Sequence, residues 1–131
     1  MRNKDSIKAF VQQTLGCGCP EEVFQHITCR SNLRIDDVTI RYKICIGDRL
    51  LIYAAEAVDA DSVRKQLHVL IDAGKRERDS SGFNRFRLVL FTDRANEIRD
   101  IAEDLFHKGE KDEKIHLHII AKSGMPVFSE T

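Results

Sequence analysis

Val38-Thr39-Ile40-Arg41-Tyr42-Lys43-Ile44-Cys45-Ile46-Gly47-Asp48-Arg49-Leu50-Leu51-Ile52-Tyr53 is the stretch on which the fold turns. Val38, Ile40, Tyr42, Ile44 and Ile46 alternate with Thr39, Arg41, Lys43 and Cys45, so the first half is a strand with one apolar and one wet face. Gly47-Asp48 punctuates it. Leu50 to Ala55 is then a nearly unbroken apolar run, which is the pattern of a strand covered on both faces. The pair reads as an antiparallel hairpin whose second strand lies deep in the domain.

Downstream of the hairpin the period changes. Asp59 stands where a helix N-cap belongs, and Val63, Leu67, Leu70 and Ile71 form an apolar stripe at helical spacing. Gly74 is placed to end that helix. The following residues, Lys75-Arg76-Glu77-Arg78-Asp79-Ser80-Ser81-Gly82, contain no apolar side chain and are expected to form a solvated loop. Phe86 to Phe91 supplies another strand. Ile98, Ile101, Ala102, Leu105 and Phe106 mark a helix ending at Gly109, and Ile115, Leu117 and Ile119 alternate with His116 and His118 in a last strand.

Upstream, Ile7, Phe10, Val11 and Leu15 describe an amphipathic helix stopped by Gly16. Pro20-Glu21-Glu22 begins a second, short helix carrying Val23, Phe24 and Ile27, because proline suits the first helical position and carboxylates favour the positive end of the dipole. Residues 1–30 therefore read as a helical hairpin, and residues 38–121 as a mixed four-stranded sheet with helices. The expectation is a single α/β domain over 1–131, with a β-hairpin followed by two β-α-β units. The order is similar to that of many two- and three-layer α/β folds, thioredoxin-like and nuclease-like cores among them. Order by itself selects no function.

Composition narrows the classes. The 131 residues are 42% hydrophobic and 32% charged, enough apolar mass for one core. Lys plus Arg and Asp plus Glu each number 21, so the bulk attraction to nucleic acid or anionic membrane is missing. Arg76, Arg78, Arg85 and Arg87 concentrate charge locally, but Glu77 and Asp79 interrupt the run and only Phe83 is near for base stacking. Nucleic acid is disfavoured as a partner. No stretch reaches the roughly 18 apolar residues of a membrane span, and the charged start from Met1 to Asp5 has no signal-peptide pattern, so a cytoplasmic location is expected.

The chemistry concentrates in four cysteines, Cys17, Cys19, Cys29 and Cys45. In a reducing compartment they are thiols, metal ligands or redox groups. Cys17-Gly18-Cys19-Pro20 puts two soft ligands at a helix start, where backbone N–H groups favour a thiolate, and Gly18 lets the backbone come close to a ligand. The expected function is a small protein binding zinc or an iron–sulfur cluster through Cys17, Cys19, Cys29 and Cys45. The spacing matches no standard double C-x2-C pattern. Two alternatives use the same residues differently. In one, the cysteines are packing residues of a non-catalytic interaction module that binds a protein through a sheet edge or the 75–82 loop. In the other, Cys19 is the nucleophile of a thiol oxidoreductase and Cys17 its resolving thiol. His116 and His118 share one side of a strand and are reserve ligands, with Arg87 expected beside them. Asp93, at the carboxyl end of the Phe86 strand, reads as a helix cap. There is no phosphate-binding glycine loop and no nucleophile elbow.

Overall fold

The computed structural model describes residues 3–16, 18, 21–109 and 112–131. Their sheet has five strands in chain order: β1 Ile27–Ile35, β2 Val38–Ile46, β3 Leu50–Glu56, β4 Arg85–Thr92 and β5 Ile115–Ala121. β1, β2 and β3 are antiparallel neighbours, while β3, β4 and β5 run parallel. The helices α2, Ala60–Ser81, and α3, Ala95–Gly109, make the two parallel crossovers. Crossovers of one hand, in a sheet that grows always in the same direction, put both helices on the same face. Val63, Leu67, Leu70 and Ile71 of α2 and Ile98 and Ala102 of α3 accordingly share one core with Leu51, Tyr53, Phe86 and Leu88.

The opposite face is covered from the N-terminus. α1, Asn3–Ala9, continues as a π-helical segment, Phe10–Thr14, and together they bury Ile7, Phe10, Val11 and Leu15 against Tyr42, Ile44, Ile52 and Val89. Gly16 leaves this segment with φ +68°, a conformation glycine adopts without a Cβ clash. Phe128 closes the same core edge-to-face on Phe10 and Tyr42. The result is a three-layer α/β domain.

The α/β class and the hairpin at Gly47 are as expected from sequence, but the strand count is five and not four. The second N-terminal helix is only a 3₁₀ turn over Glu21–Gln25, and Ile27 opens β1 instead of extending a helical hairpin. β1 lies at the sheet edge, where a strand can carry Arg30, Ser31, Asn32 and Arg34 and still gain a ladder from β2. Its edge is lined by the C-terminal residues: Thr131 N–H donates to Cys29 O, and Ser31 N–H donates to a Glu130 carboxylate oxygen. The β1–β2 hairpin turns at Asp36–Asp37, with Asp36 at φ +53°, and Leu33, Ile35, Val38 and Ile40 beside the turn join the core on the α2 side.

The second correction concerns residues 75–82. They are no loop: α2 runs on to Ser81 and is capped by Gly82 at φ +78°. Gly74 lies inside the helix because the ring of Phe86 occupies the space where a Cβ would be, 2.1 Å from the ring's Cζ. Beyond Gly74 the buried stripe is continued by polar residues that have partners. Glu77 accepts from Tyr53 Oη and pairs with Lys43 Nζ at 2.5 Å, and Arg78 pairs with Asp79 at 3.0 Å and Asp112 at 2.7 Å. Inward-facing ion pairs thus replace apolar side chains in holding the last two turns. At the other end the Asp59 carboxylate accepts from Ser62 N–H at 2.8 Å, the expected N-cap. No helix among the described residues is long and apolar enough to cross a membrane.

Candidate functional site

The alternation of β4 and β5 determines what faces the N-terminal layer. Arg85, Arg87 and Val89 of β4 and His116 and His118 of β5 lie on that side, while Phe86, Leu88 and Leu117 face α2 and α3. The pairing Arg87↔His116 makes these two direct neighbours, with Val89↔His118 one step along. Arg87 Nη1 lies 2.9 Å from His118 Nε2, and Arg85 Nη1 lies 3.3 Å from His116 Nε2. Each imidazole nitrogen facing a guanidinium is thus an acceptor, so the proton of the neutral ring sits on the other nitrogen.

Burial and the Arg87 charge push the His118 imidazole down to about 4, and burial followed by the two arginines lowers His116 as well. Both rings are neutral at pH 7. Protonating His118 in the fold is disfavoured relative to the unfolded chain, whose histidine titrates near 6.5, so this residue makes stability fall as pH drops from 6.5 toward 4. A side-chain NMR titration should show His118 unprotonated at pH 5.5, where an ordinary surface histidine is mostly charged. A midpoint near 6.5 would show that the ring is neither desolvated nor held by Arg87.

Arg87 also ties the sheet to the helical layer. Its Nη1 donates to the Leu15 carbonyl at 2.9 Å, at the end of the π-helical segment. Its Nε is buried with no partner, and neither Arg87 nor Arg85 reaches a carboxylate among the described residues. Burial with Arg85 beside it lowers the Arg87 pKa. Arg78, the other interior guanidinium, is paired with two carboxylates. Arg87 is therefore the interior cation whose surroundings call for negative charge.

The four expected cysteine ligands are not brought together where they are described. Cys29 pairs with Ile44 and lies in the core under the N-terminal layer, whereas Cys45 pairs with Thr28 and faces the α2 side. One ion held by both is incompatible with their positions on opposite faces of the sheet. Cys29 is fully buried, and burial, with the Glu130 charge a smaller cause, pushes its thiol up to about 11. It packs as an apolar side chain. Cys45 is half-buried: it packs against the core on the α2 side, lines an open pocket with Thr28, Gly47 and Arg49, and has its pKa raised by burial. Cys17 and Cys19 lie outside the described residues. Among the described residues no group of three or more His, Cys, Asp or Glu is placed to hold a metal ion.

Cys29, Ile44, Ile52, Arg87 and His116 form one rung across the sheet. Three interstrand spacings, about 14 Å, separate Cys29 from Arg87, with the apolar layer between them. Sequence reading placed Arg87 beside the histidines, and the structure does so. It also left unnoticed that the Leu15 carbonyl meets the same guanidinium, for which no local sequence signal exists. A comparison with known proteins finds no matching protein family, no matching characterised protein and no matching solved structure.

Proposed function

We propose that this chain is a small metal- or cluster-binding protein whose soft ligands are Cys17 and Cys19, working beside the Arg87–His118 patch. The observation that carries the reading is the bond from Arg87 to the Leu15 carbonyl, because it fixes the chain two residues before Cys17 against a half-buried cationic surface. Thiolates are stabilised by nearby cations, and a zinc or iron–sulfur centre with several thiolate ligands carries net negative charge. Such a group supplies the counter-charge that Arg87 lacks. The neutral imidazoles of His116 and His118, on the sheet face that the Leu15 segment covers, are donors of a type that zinc accepts, once Arg85 and Arg87 release them. Cys29 and Cys45 are left out of this ligand set as packing residues.

A second reading rests on the same placement of Cys29 and Cys45. With two cysteines removed from the ligand set, Cys17 and Cys19 are a dithiol pair, and Cys19, four residues beyond the Leu15 carbonyl that Arg87 holds, becomes a candidate nucleophile with Cys17 as its resolving thiol. Elemental analysis and absorption spectroscopy of protein purified anaerobically without chelator separate the two. Near-stoichiometric zinc or iron is expected in wild type and in Cys29→Ala, and none in the Cys17→Ser, Cys19→Ser variant. Metal absent from wild type would overturn the metal reading. Alkylation rates against pH then test the dithiol: a Cys19 midpoint well below 8 supports it, and one near 8.5 removes it.

A further inference from the structure

The patch formed by Arg85, Arg87, His116 and His118 has a property that the proposed metal site does not require. Arg85 and Arg87 are two residues apart on one strand, so both side chains leave the same face about 7 Å apart. Each is held at one nitrogen by an imidazole from β5, which fixes the direction of its fork. Neither has a carboxylate within ion-pair distance among the described residues. Two guanidinium groups side by side on one face, one of them with a buried Nε–H that has no partner, are suited to receive an oxyanion bidentately. The rung leading away from Arg87 offers no counter-ion, because it is the apolar pair Ile52 and Ile44.

We infer that Arg85 and Arg87, oriented by His116 and His118, form a binding site for a small tetrahedral oxyanion of the phosphate class. Arg85 is exposed and supplies the entrance, and Arg87 is half-buried and supplies the deeper donor. The imidazoles act as positioning residues. They accept from the guanidinium groups as neutral rings and do not themselves carry the charge that attracts the anion. The site consists of described residues alone, and an oxyanion held there would compete with a thiolate-bound metal centre for the same Arg87 charge.

The test is a titration of the full chain with inorganic phosphate at constant ionic strength, read from the His116 and His118 imidazole signals and the Arg87 Nε–H signal. A saturable shift of all three is expected, together with a loss of affinity of about tenfold in Arg87→Met and a smaller loss in Arg87→Lys, which keeps the charge but not the fork. Arg85→Gln, at an exposed position that leaves the core alone, should weaken binding by about threefold or more and decides the matter if Arg87→Met does not fold. Methyl phosphate in a parallel titration distinguishes the source of the ligand. Tighter binding of the monoester points to a phosphorylated small molecule, and tighter binding of inorganic phosphate to the free ion. Shifts that do not saturate, that chloride reproduces at equal ionic strength, or that survive Arg85→Gln unchanged overturn the proposal.

Discussion

Replacing Gly74 by alanine should destabilise the protein by about 3 kcal/mol, although alanine is the better helix former. In a solvated loop or at an exposed helix position the same change would be neutral or stabilising by up to about 1 kcal/mol. Here a methyl group would stand 2.1 Å from Cζ of Phe86 and 2.2 Å from Cε2, so either α2 or the ring must move. Phe86 cannot yield freely, because it is fully buried and packs edge-to-face on Tyr53 at 4.9 Å between ring centroids. Tyr53 is in turn held by Glu77, three residues beyond Gly74. The strain therefore passes into the network that holds the end of α2. Urea unfolding of Gly74→Ala should show a lowered midpoint with an unchanged slope. A midpoint at or above that of wild type would mean that α2 does not press on β4 at this position.

The second large effect is expected at Arg78. Arg78 is 7% exposed, and its guanidinium joins α2 to the segment before β5 through Asp112, with Asp79 as a more exposed partner. Arg78→Met removes the charge and leaves the Asp112 carboxylate without its principal partner, at a cost of about 3 kcal/mol. Asp112→Asn keeps the shape and should cost less, about 1–2 kcal/mol. The pair also has a pH signature. Arg78, with help from the Lys114 N–H, holds the Asp112 carboxyl below its ordinary 3.8. A depressed folded-state value contributes stability that is present above the unfolded pKa and is lost as pH falls through the folded one. Stability of wild type should thus decline below pH 4, and the decline should be shallower in Arg78→Met. Equal acid slopes in the two proteins would show that Asp112 draws nothing from Arg78.

These two residues also show where sequence reading stops. Gly74 followed by seven polar residues and a second glycine has the pattern of a helix end and a loop, and local propensity has no way to register Phe86, twelve positions on, filling the space above the first glycine. Glu77 and Arg78 continue the stripe of Leu70 and Gly74 at helical spacing, but their polarity hides that continuation until Lys43, Tyr53 and Asp112 are seen to receive them. The hairpin, α3 and β5 were legible because their apolar periodicity is local and uninterrupted. β1 carried a usable signal in the alternation of Ile27, Cys29, Leu33 and Ile35, which polar residues between them and the short turn before them masked.

The candidate site divides in the same way. The shared face of His116 and His118, with Arg87 beside them, follows from a period of two on adjoining parallel strands. The opposite facing of Cys29 and Cys45 does not follow without β1, since only the register Thr28↔Cys45 and Cys29↔Ile44 puts them on different sides. The contact from Arg87 to Leu15 spans 72 residues and depends on how the N-terminal layer lies over the sheet. Sequence gives the chemistry of each group but not this juxtaposition.

The central claim is that Cys17 and Cys19 work next to the Arg87–His118 patch, and cobalt(II) substitution tests it most directly. Cobalt bound by thiolates absorbs in the near ultraviolet, and its unpaired electrons broaden nearby proton signals. The full chain loaded anaerobically should show that absorption together with strong broadening of the His118 and His116 side-chain signals, and the Cys17→Ser, Cys19→Ser variant should show neither. Thiolate-bound cobalt that leaves both histidines sharp would place the metal elsewhere and contradict the account.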